Sequence, residues 1–241
     1  MTTALITGAA SLMGEGIANE LARRGWDLAL TDIDSNGLGK VADGISEKVR
    51  RKCARMDVTD RVAVQSVVEK MTAQFGTIDA LVNCAGGLRG LGISRKPLHE
   101  IPPEDWRRVV DVNLKCVLNV VHAVLPVMRE QQRGAIVSIA ASRGLRGGPG
   151  ASHYSAAKAG VIVFSQTMVL DCASYGVRIN TIAPGNADAR WKREDEGASR
   201  APLRRATSAE DIAKVVAWLL SDEASHVTGA CIDVSGGTTL H

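Results

Sequence analysis

Residues 4–24 are ALITGAASLMGEGIANELARR, a short apolar strand pattern that passes through a glycine-containing turn into an amphipathic helix pattern. The turn begins at Gly8, and Gly14 lies where the helix pattern opens. Backbone N–H groups and the positive end of the helix dipole at such a turn attract a diphosphate. The pattern is a weak signal alone, but its place after the first strand of an alternating chain strengthens it. We therefore predict a dinucleotide-binding turn at this point.

The remainder of the chain continues the alternation of short apolar runs with longer amphipathic segments. Uninterrupted aliphatic strands such as ALVN and AIVSI indicate burial on both faces, as in a parallel sheet covered by helices. The pattern predicts a single Rossmann-type doubly wound α/β domain over residues 1–241, with a parallel seven-stranded sheet and helices on both faces. The predicted strands are residues 4–6, 28–31, 52–56, 80–83, 135–139, 178–182 and 231–234, and the predicted helices are residues 14–24, 36–48, 61–75, 104–130, 154–175 and 209–220.

The composition argues against several classes of function. The 241 residues carry a net charge of +3 with dispersed basic residues, which is unlike a nucleic-acid-binding protein. The five cysteines form no CxxC pair, which indicates reduced thiols and no zinc site. The histidines lack metal-ligand spacing, the N-terminus lacks a signal-peptide pattern, and no uninterrupted apolar run approaches the ~20 residues of a membrane helix. We expect a cytoplasmic protein with no metal, nucleic-acid or membrane partner.

Asp32 follows the second predicted strand, 24 residues beyond Gly8. A carboxylate at this place can accept hydrogen bonds from both hydroxyls of an adenosine ribose and repels a 2′-phosphate. This favours NAD(H) over NADP(H), and Asp34 adds to the negative field. The alternative is an ordinary strand-end aspartate that serves a turn or a helix cap.

Tyr154 and Lys158 open the predicted helix YSAAKAGVIVF with the i, i+4 spacing that places both side chains on one helix face. A free tyrosine titrates near ~10, too high for acid–base catalysis at neutral pH. A neighbouring ammonium favours the phenolate and lowers that pKa. The alternative is a core tyrosine beside a solvated lysine, since such pairs arise by chance on many helices.

Several ordered motifs together resemble the short-chain dehydrogenase/reductase family, in particular the subgroup similar to 3-oxoacyl-carrier-protein reductases. The resemblance covers essentially the whole chain. The motifs that carry it are Thr7-Gly8 with Gly14, Asp57-Val58, Asn83-Cys84-Ala85-Gly86, Asn113 in DVNLK, Tyr154 with Lys158, and Pro184-Gly185.

The resemblance implies an NAD(H)-dependent oxidoreductase that interconverts a secondary alcohol and a ketone or related carbonyl. It implies that Tyr154 exchanges a proton with the substrate oxygen, that Lys158 holds ribose hydroxyls and lowers the pKa of Tyr154, and that Asn113 anchors a water of a proton relay. It also implies a homotetramer or homodimer built on the predicted helices 104–130 and 154–175. The implied cofactor-binding residues are Gly8, Ser11, Leu12, Met13, Gly14, Asp32, Ile33, Asp57, Val58, Asn83, Ala85, Gly86, Tyr154, Lys158, Pro184 and Gly185.

Two positions depart from the family pattern. Leu12 stands where the family has the middle glycine of the first turn, and its bulk and restricted dihedrals either reduce cofactor affinity or are accommodated in the core. Ala141 stands where the family serine falls, and Ser142 follows it directly. We predict that Ser142 supplies the fourth catalytic group, a hydroxyl for the substrate oxygen. The alternative is that Ser142 only caps the turn.

Two long connections, residues 86–103 and 184–202, follow predicted strands and should lie at the carboxyl edge of the sheet. We predict that they form a substrate lid, and the alternative is a pair of solvated surface loops. Basic residues near this edge form a rim that could recruit an anionic substrate, although solvated charge is the simpler explanation. They are Arg89, Arg95, Lys96, Arg143, Arg146, Arg190, Lys192 and Arg193.

Two other classes of function remain open from the residues alone. Leu12 and Ala141 are compatible with a dinucleotide-binding sensor or scaffold that does not turn over, but a binding protein has no use for Asn113, Tyr154 and Lys158 together. A Rossmann-fold methyltransferase also has a glycine turn and a strand-end acid. That class gives no reason for the tyrosine–lysine pair.

Overall fold

The computed structural model describes residues 2–185 and 201–239, which form a seven-stranded sheet covered by helices. All strand pairs are parallel, in the order β3-β2-β1-β4-β5-β6-β7. The strands are β1 Thr3–Thr7, β2 Asp27–Asp32, β3 Arg51–Arg55, β4 Ala80–Asn83, β5 Gly134–Ile139, β6 Val177–Pro184 and β7 Cys231–Val234. The helices are α1 Leu12–Arg23, α2 Ser35–Gly44, α3 Arg61–Phe75, α4 Pro103–Val110, α5 Cys116–Gln131, α6 Ser142–Arg146, α7 Ser152–Cys172 and α8 Ala209–Leu220.

The order of the strands creates a crevice at the carboxyl edge of the sheet. From β1 the chain builds outward to β2 and β3, then returns to place β4 on the other side of β1. Ligands of open α/β sheets bind where the strand order reverses, which here is beside the carboxyl ends of β1 and β4. The predicted parallel seven-stranded Rossmann-type sheet is confirmed.

Buried aliphatic side chains pack on both faces of the sheet. Successive side chains of a strand point to opposite faces. Ile6 of β1 lies in one apolar cluster with Ile17 of α1, together with residues of α2 and α8. Leu5 of β1 lies in a second cluster with Val64 of α3, together with residues of α5 and α7. This two-sided burial explains why the strands are uninterrupted aliphatic runs.

The ends of several predicted helices are wrong. The predicted helix 36–48 ends at Gly44, and Ile45 takes an extended conformation with its side chain buried. The predicted helix 104–130 is α4, a π-helical stretch Asp111–Lys115, and α5. Helices α3 and α8 match the prediction, and α1 and α7 begin two residues earlier than predicted. Helix α6 was not predicted, because it is only five residues long.

Two continuous helical stretches, Pro103–Gln131 and Ser152–Tyr175, are long and apolar enough to meet a length-and-hydropathy criterion for membrane spans. Core helices of soluble proteins meet the same criterion, and both stretches pack against the sheet and each other. They also leave apolar side chains exposed, among them Val163 at 60% and Leu170 at 84%. These helices therefore present apolar surface on the side away from the sheet.

Candidate active site

The turn between β1 and α1 is closely packed around its glycines. Gly8 has φ +66°, and a Cβ there would lie 2.7 Å from the backbone N and Cα of Ala85. A Cβ on Gly14 would overlap the carbonyl oxygen of Gly8. Ser11 caps α1, because its Oγ accepts from the Gly14 N–H at 3.0 Å and donates to the Gly8 carbonyl at 2.7 Å. Replacing Gly8 or Gly14 by any other residue would therefore disturb the backbone of this turn.

Leu12 and Met13 form the first turn of α1 and are both partly buried. Met13 packs against the apolar cluster that α1 shares with α8. Leu12 thus starts a regular helix, in spite of replacing the family glycine. Its effect on cofactor affinity stays a prediction.

Asp32 ends β2 with its carboxylate held at the mouth of this turn. One oxygen accepts from the Ala10 N–H at 3.0 Å, and the other accepts from the Asp34 N–H at 3.0 Å. Asp34 has a local task, since its carboxylate caps α2 at the N–H groups of Asn36 and Gly37. Ile33, between the two aspartates, is exposed. The capping alternative thus fits Asp34, whereas Asp32 faces the glycine turn.

The loop after β4 is tied to the strands on both sides by hydroxyl groups that sequence reasoning assigned no role. The hydroxyl of Thr7 accepts from the N–H groups of Cys84 and Ala85, at 3.2 Å each. Asn83 donates through Nδ2 to the Oγ of Ser138 at 3.1 Å. The Oδ1 of Asn83 is buried and has no hydrogen-bond partner among the described residues. The loop thus has a fixed backbone and a free buried acceptor.

Asp57 and Val58 lie in the turn after β3, at the same edge of the sheet. The carboxylate of Asp57 accepts from the N–H and the hydroxyl of Thr59 at 2.9 and 2.7 Å. The carbonyl of Val58 accepts from Nδ2 of Asn119 on α5 at 3.0 Å. Both residues are therefore fixed near the Asp32 end of β2, and their part in binding the cofactor stays a prediction.

Asn113, Gly86 and Lys158 meet in the interior. Asn113 is 0% exposed in the π-helical stretch and bonds the Gly87 N–H, the Gly87 carbonyl and the Val109 carbonyl. Lys158 is 3% exposed, and its Nζ donates to the Ile139 carbonyl at 2.8 Å. A Cβ on Gly86 would lie 3.0 Å from Asn113 Oδ1 and 3.2 Å from Lys158 Nζ. The ammonium keeps two N–H donors for other partners.

The electrostatics around Tyr154 differ from the expectation. Burial raises the pKa of Tyr154, and the positive charges that oppose this effect are Arg143 and then Arg95. Lys158 Nζ lies 6.0 Å from the ring centroid of Tyr154, and burial lowers the pKa of Lys158. Arg143 and Arg95 are thus the charges that oppose the effect of burial on Tyr154, and the lowering of its pKa by Lys158 stays a prediction. The ammonium of Lys158 is itself desolvated and donates to the Ile139 carbonyl.

Two buried thiols lie near Lys158. Burial raises the pKa of Cys84 and of Cys116 to about 11 each, so both thiols are neutral at physiological pH. All five cysteines of the chain are free. Among residues 2–185 and 201–239, no three His, Cys, Asp or Glu side chains are grouped so that they could hold a metal ion.

Ala141 and Ser142 lie at the start of α6. Ala141 is the N-cap residue of that helix in an extended conformation, so Ser142 does not occupy the capping position. Ser142 is the first helical residue and is 8% exposed. A Cβ on Gly144 would meet the Lys158 carbonyl carbon at 2.8 Å, which places α6 directly on the backbone of α7. Whether the Ser142 hydroxyl serves the substrate stays a prediction.

Of the two predicted substrate connections, the structure describes the first in full. Residues 86–103 contain the 3₁₀ turns Arg89–Leu91 and Leu98–Glu100, and the Lys96 N–H bonds the Gly150 carbonyl at 3.0 Å. Of the second, only Pro184, Gly185 and residues 201–202 are described. The Gly185 N–H donates to the Val234 carbonyl at 3.0 Å, directly after the end of β6. The predicted rim residues Arg190, Lys192 and Arg193, and the side chain of Arg89, lie outside what the structure describes.

The parallel sheet order, the glycine turn with its strand-end carboxylate and the buried Asn113–Lys158 pair define a Rossmann-fold oxidoreductase that binds a nicotinamide dinucleotide. The family model described as enoyl-(acyl carrier protein) reductase matches residues 8–239, and the chain therefore belongs to this family of short-chain dehydrogenases/reductases.

Curated relatives match over nearly the whole chain. The chain is 38% identical over 245 residues to the 3-oxoacyl-acyl-carrier-protein reductase FabG of Thermotoga maritima, covering 98% of this chain and 97% of that protein. It is 35% identical over 240 residues to the protein of the same name from Escherichia coli strain K12, covering 97% and 96%. Each match covers nearly the full length of both proteins, so it is not confined to one part of the fold.

Solved structures show the same fold. An NAD⁺-bound xylitol dehydrogenase superposes with a TM-score of 0.92 at 31% identity, covering 98% of both chains. A levodione reductase superposes with a TM-score of 0.92 at 33% identity, covering 98% of this chain and 96% of the other. The relatives and neighbours thus carry names for different substrates, so likeness alone does not choose one.

Proposed function

We propose that this protein is an NAD(H)-dependent oxidoreductase that interconverts a secondary alcohol and a ketone, with Tyr154 as general acid and base. The observation that carries the proposal is the group formed by Asn113, Gly86 and Lys158 at the edge that also holds the glycine turn. Lys158 is completely desolvated there, with donors left over after its bond to the Ile139 carbonyl. A desolvated ammonium with free donors suits ribose hydroxyls of a dinucleotide.

The residues present fit the dinucleotide along the whole crevice. The first turn of α1, which follows the N-cap Ser11, presents the backbone N–H groups of Leu12 and Met13 to a diphosphate. Gly8 has no Cβ, so the space beside the Ala85 backbone stays open. The buried Oδ1 of Asn83 can accept a hydrogen bond from the cofactor. When bound, the nicotinamide supplies a hydride to a carbonyl carbon or accepts one from an alcohol carbon.

Asp32 supports the choice of NAD(H). Its two carboxylate oxygens each accept one backbone N–H and keep further lone pairs for ribose hydroxyls. A 2′-phosphate beside this carboxylate would meet like charge. One structural neighbour of the chain is titled as an NAD⁺-bound enzyme, which agrees with this choice.

In the reducing direction, Tyr154 gives its hydroxyl proton to the substrate oxygen and becomes a phenolate. Arg143 and Arg95 favour that phenolate electrostatically, and Ser142 is the proposed hydroxyl that holds the substrate oxygen. Asn113 keeps a lone pair on Oδ1 beyond its bond to the Gly87 N–H, which suits a water of a proton relay. The oxidising direction reverses these proton movements.

We also propose a cytoplasmic homo-oligomer, a homotetramer or homodimer. The apolar side chains that α4, α5 and α7 expose, Trp106, Leu118, Val163 and Leu170 among them, would be covered by a second copy of the same helices. A groove between α5 and α7, lined by Leu118, Leu125, Phe164 and Met168, adds to this surface. Gel filtration with light scattering tests this part of the proposal.

Turnover of a panel of ketones and secondary alcohols, followed through NADH absorbance, tests the reaction itself. Turnover in wild type with loss in Tyr154→Phe supports the proposal. Tight dinucleotide binding without turnover of any panel member would instead favour the sensor or scaffold hypothesis.

A further inference from the structure

Two arginines flank the segment that leads into α7. Arg143 is the second residue of α6, and its guanidinium rests on Gly148, where a Cβ would overlap Nη1 and lie 2.9 Å from Cζ. Arg95 lies in the connection after β4, and its Cβ would be 3.1 Å from a Cβ on Gly150. Both side chains therefore approach the glycine-rich turn directly before Tyr154 from two different loops.

Several positive charges act on Arg143 at this place. Burial, then Arg95, then Arg146 lower the pKa of Arg143, and Tyr154 is the one group that opposes them. The positive charges of Arg143 and Arg95 both lower the pKa of Tyr154. The guanidinium groups thus lie within electrostatic reach of the hydroxyl that exchanges the proton.

Arg143 carries an unsatisfied donor. Its Nη1 is buried and has no hydrogen-bond partner among the residues that the structure describes. Buried charged donors are costly when unpaired, and folded proteins keep them mainly where function supplies an acceptor. The nearby positive charge of Arg95 raises this cost for Arg143 further.

We propose that Arg143 binds a carboxylate of the substrate, so that the substrates are short oxo acids and hydroxy acids rather than uncharged ketones or acyl thioesters. The inference rests on the proposed alcohol–ketone reaction at Tyr154. The planar guanidinium fork matches a carboxylate in a bidentate manner. The carboxylate would neutralise the positive charge next to Tyr154 and place the neighbouring carbonyl at its hydroxyl.

This substrate class differs from the one that the names of the chain's curated relatives indicate. Those relatives are named as reductases of 3-oxoacyl groups on acyl carrier protein. A thioester has no carboxylate near its oxo group, so it would leave the buried Nη1 of Arg143 unpaired. A preference for a free acid over its ester or thioester is therefore the result that a carboxylate site at Arg143 predicts.

The experiment compares kcat/KM with NADH for short 2-oxo and 3-oxo acids, their methyl esters and their thioesters. We expect wild type to prefer an acid over its ester, and Arg143→Met to lower kcat/KM for the acid by about 30-fold. We expect kcat/KM for the ester to fall by a much smaller factor, because the ester loses only the electrostatic effect of Arg143 on Tyr154. Arg143→Lys, which keeps the charge but loses the fork, should fall between the two.

Lys48→Met is the matched control, because it removes one exposed positive charge from the loop before β3, at the opposite edge of the sheet. We expect it to behave as wild type. Equal kcat/KM for acid and ester in wild type, or an equal loss of both in Arg143→Met, would overturn the carboxylate site. A phosphonate analogue preferred over the carboxylate would overturn the choice of a carboxylate.

A calorimetric titration separates this inference from the proposed function. Acetoacetate is titrated into wild type and Arg143→Met in the presence of NAD⁺. If no carbonyl compound is turned over but acetoacetate binds in an Arg143-dependent manner, the oxidoreductase proposal fails and the carboxylate site stands. If carbonyl compounds are turned over and acetoacetate binds both variants equally or neither, the carboxylate site fails and the oxidoreductase proposal stands.

Discussion

The turn between β1 and α1 and the segment from α6 to the start of α7 lie at the same edge of the sheet, but they are built in opposite ways. In the turn, the side chains of Ser11 and Asp32 each form two hydrogen bonds with backbone groups. In the segment, Nη1 of Arg143 and both ring nitrogens of His153 are buried without a partner among the described residues. The turn, which is the proposed cofactor side, is therefore preformed, whereas the proposed substrate side keeps polar groups that a ligand can satisfy.

The largest effect is expected from the substrate side. Tyr154→Phe removes the hydroxyl that exchanges the proton and should lower kcat by about 10³-fold. NADH affinity should change by less than about threefold, because the turn and Asp32 do not depend on the hydroxyl. Steady-state kinetics and a fluorescence titration check both values. A comparable loss of NADH binding would show that the two regions are not separate.

A preformed turn should tolerate little change at its glycines. Gly8→Ala places a Cβ on the Ala85 backbone and a non-glycine residue at φ +66°, and should cost about 2–4 kcal/mol in free energy of unfolding together with most NADH affinity. Gly39→Ala is the control, since a Cβ there meets open space on α2. Urea unfolding measures the difference. If Gly8→Ala unfolds like wild type, the description of the turn as preformed is wrong.

Ser142→Ala tests the substrate side where the chain departs from the family. We expect kcat to fall at least about tenfold, because a hydroxyl that holds a developing charge contributes ~2–4 kcal/mol. Ala141→Ser, which restores the family residue, is the informative companion variant. Wild-type turnover in Ser142→Ala would assign the substrate oxygen to Tyr154 alone.

The smallest effect concerns pH. Arg143 lowers the pKa of Tyr154, so Arg143→Met should raise it. Alcohol oxidation needs the phenolate, and its kcat/KM rises as pH passes the pKa of Tyr154. The rise should therefore move to higher pH in Arg143→Met, measured with an uncharged alcohol so that substrate binding to the arginine does not interfere. A shift to lower pH would contradict the assigned electrostatics.

Sequence reasoning succeeded where the signal is local. The alternation of short strand patterns with longer amphipathic segments predicted all seven strands, and two of them, Ala80–Asn83 and Cys231–Val234, match residue for residue. The spacing of Gly8, Gly14 and Asp32 predicted residues that the structure brings together at one turn. These features depend on neighbours within one strand–turn–helix unit.

It failed where partners come from distant parts of the chain. The hydroxyl of Thr7 holds a loop that lies more than 70 residues further on, and nothing in its own surroundings indicates that. The influence of Arg143 and Arg95 on Tyr154 depends on two loops that meet only in the folded protein. The basic rim hypothesis pointed to both arginines, but it could not single them out from exposed charges. The end of α2 was missed because Gly44 stops a pattern whose periodicity continues beyond it.

The most direct test of the account is a fluorescence titration of the purified protein with NADH and, in parallel, with NADPH, repeated on Asp32→Ala. We predict clearly tighter binding of NADH by wild type, and a loss of that preference in Asp32→Ala as the like-charge repulsion of the 2′-phosphate disappears. Tighter binding of NADPH by wild type, or no binding of either nucleotide, would contradict the account.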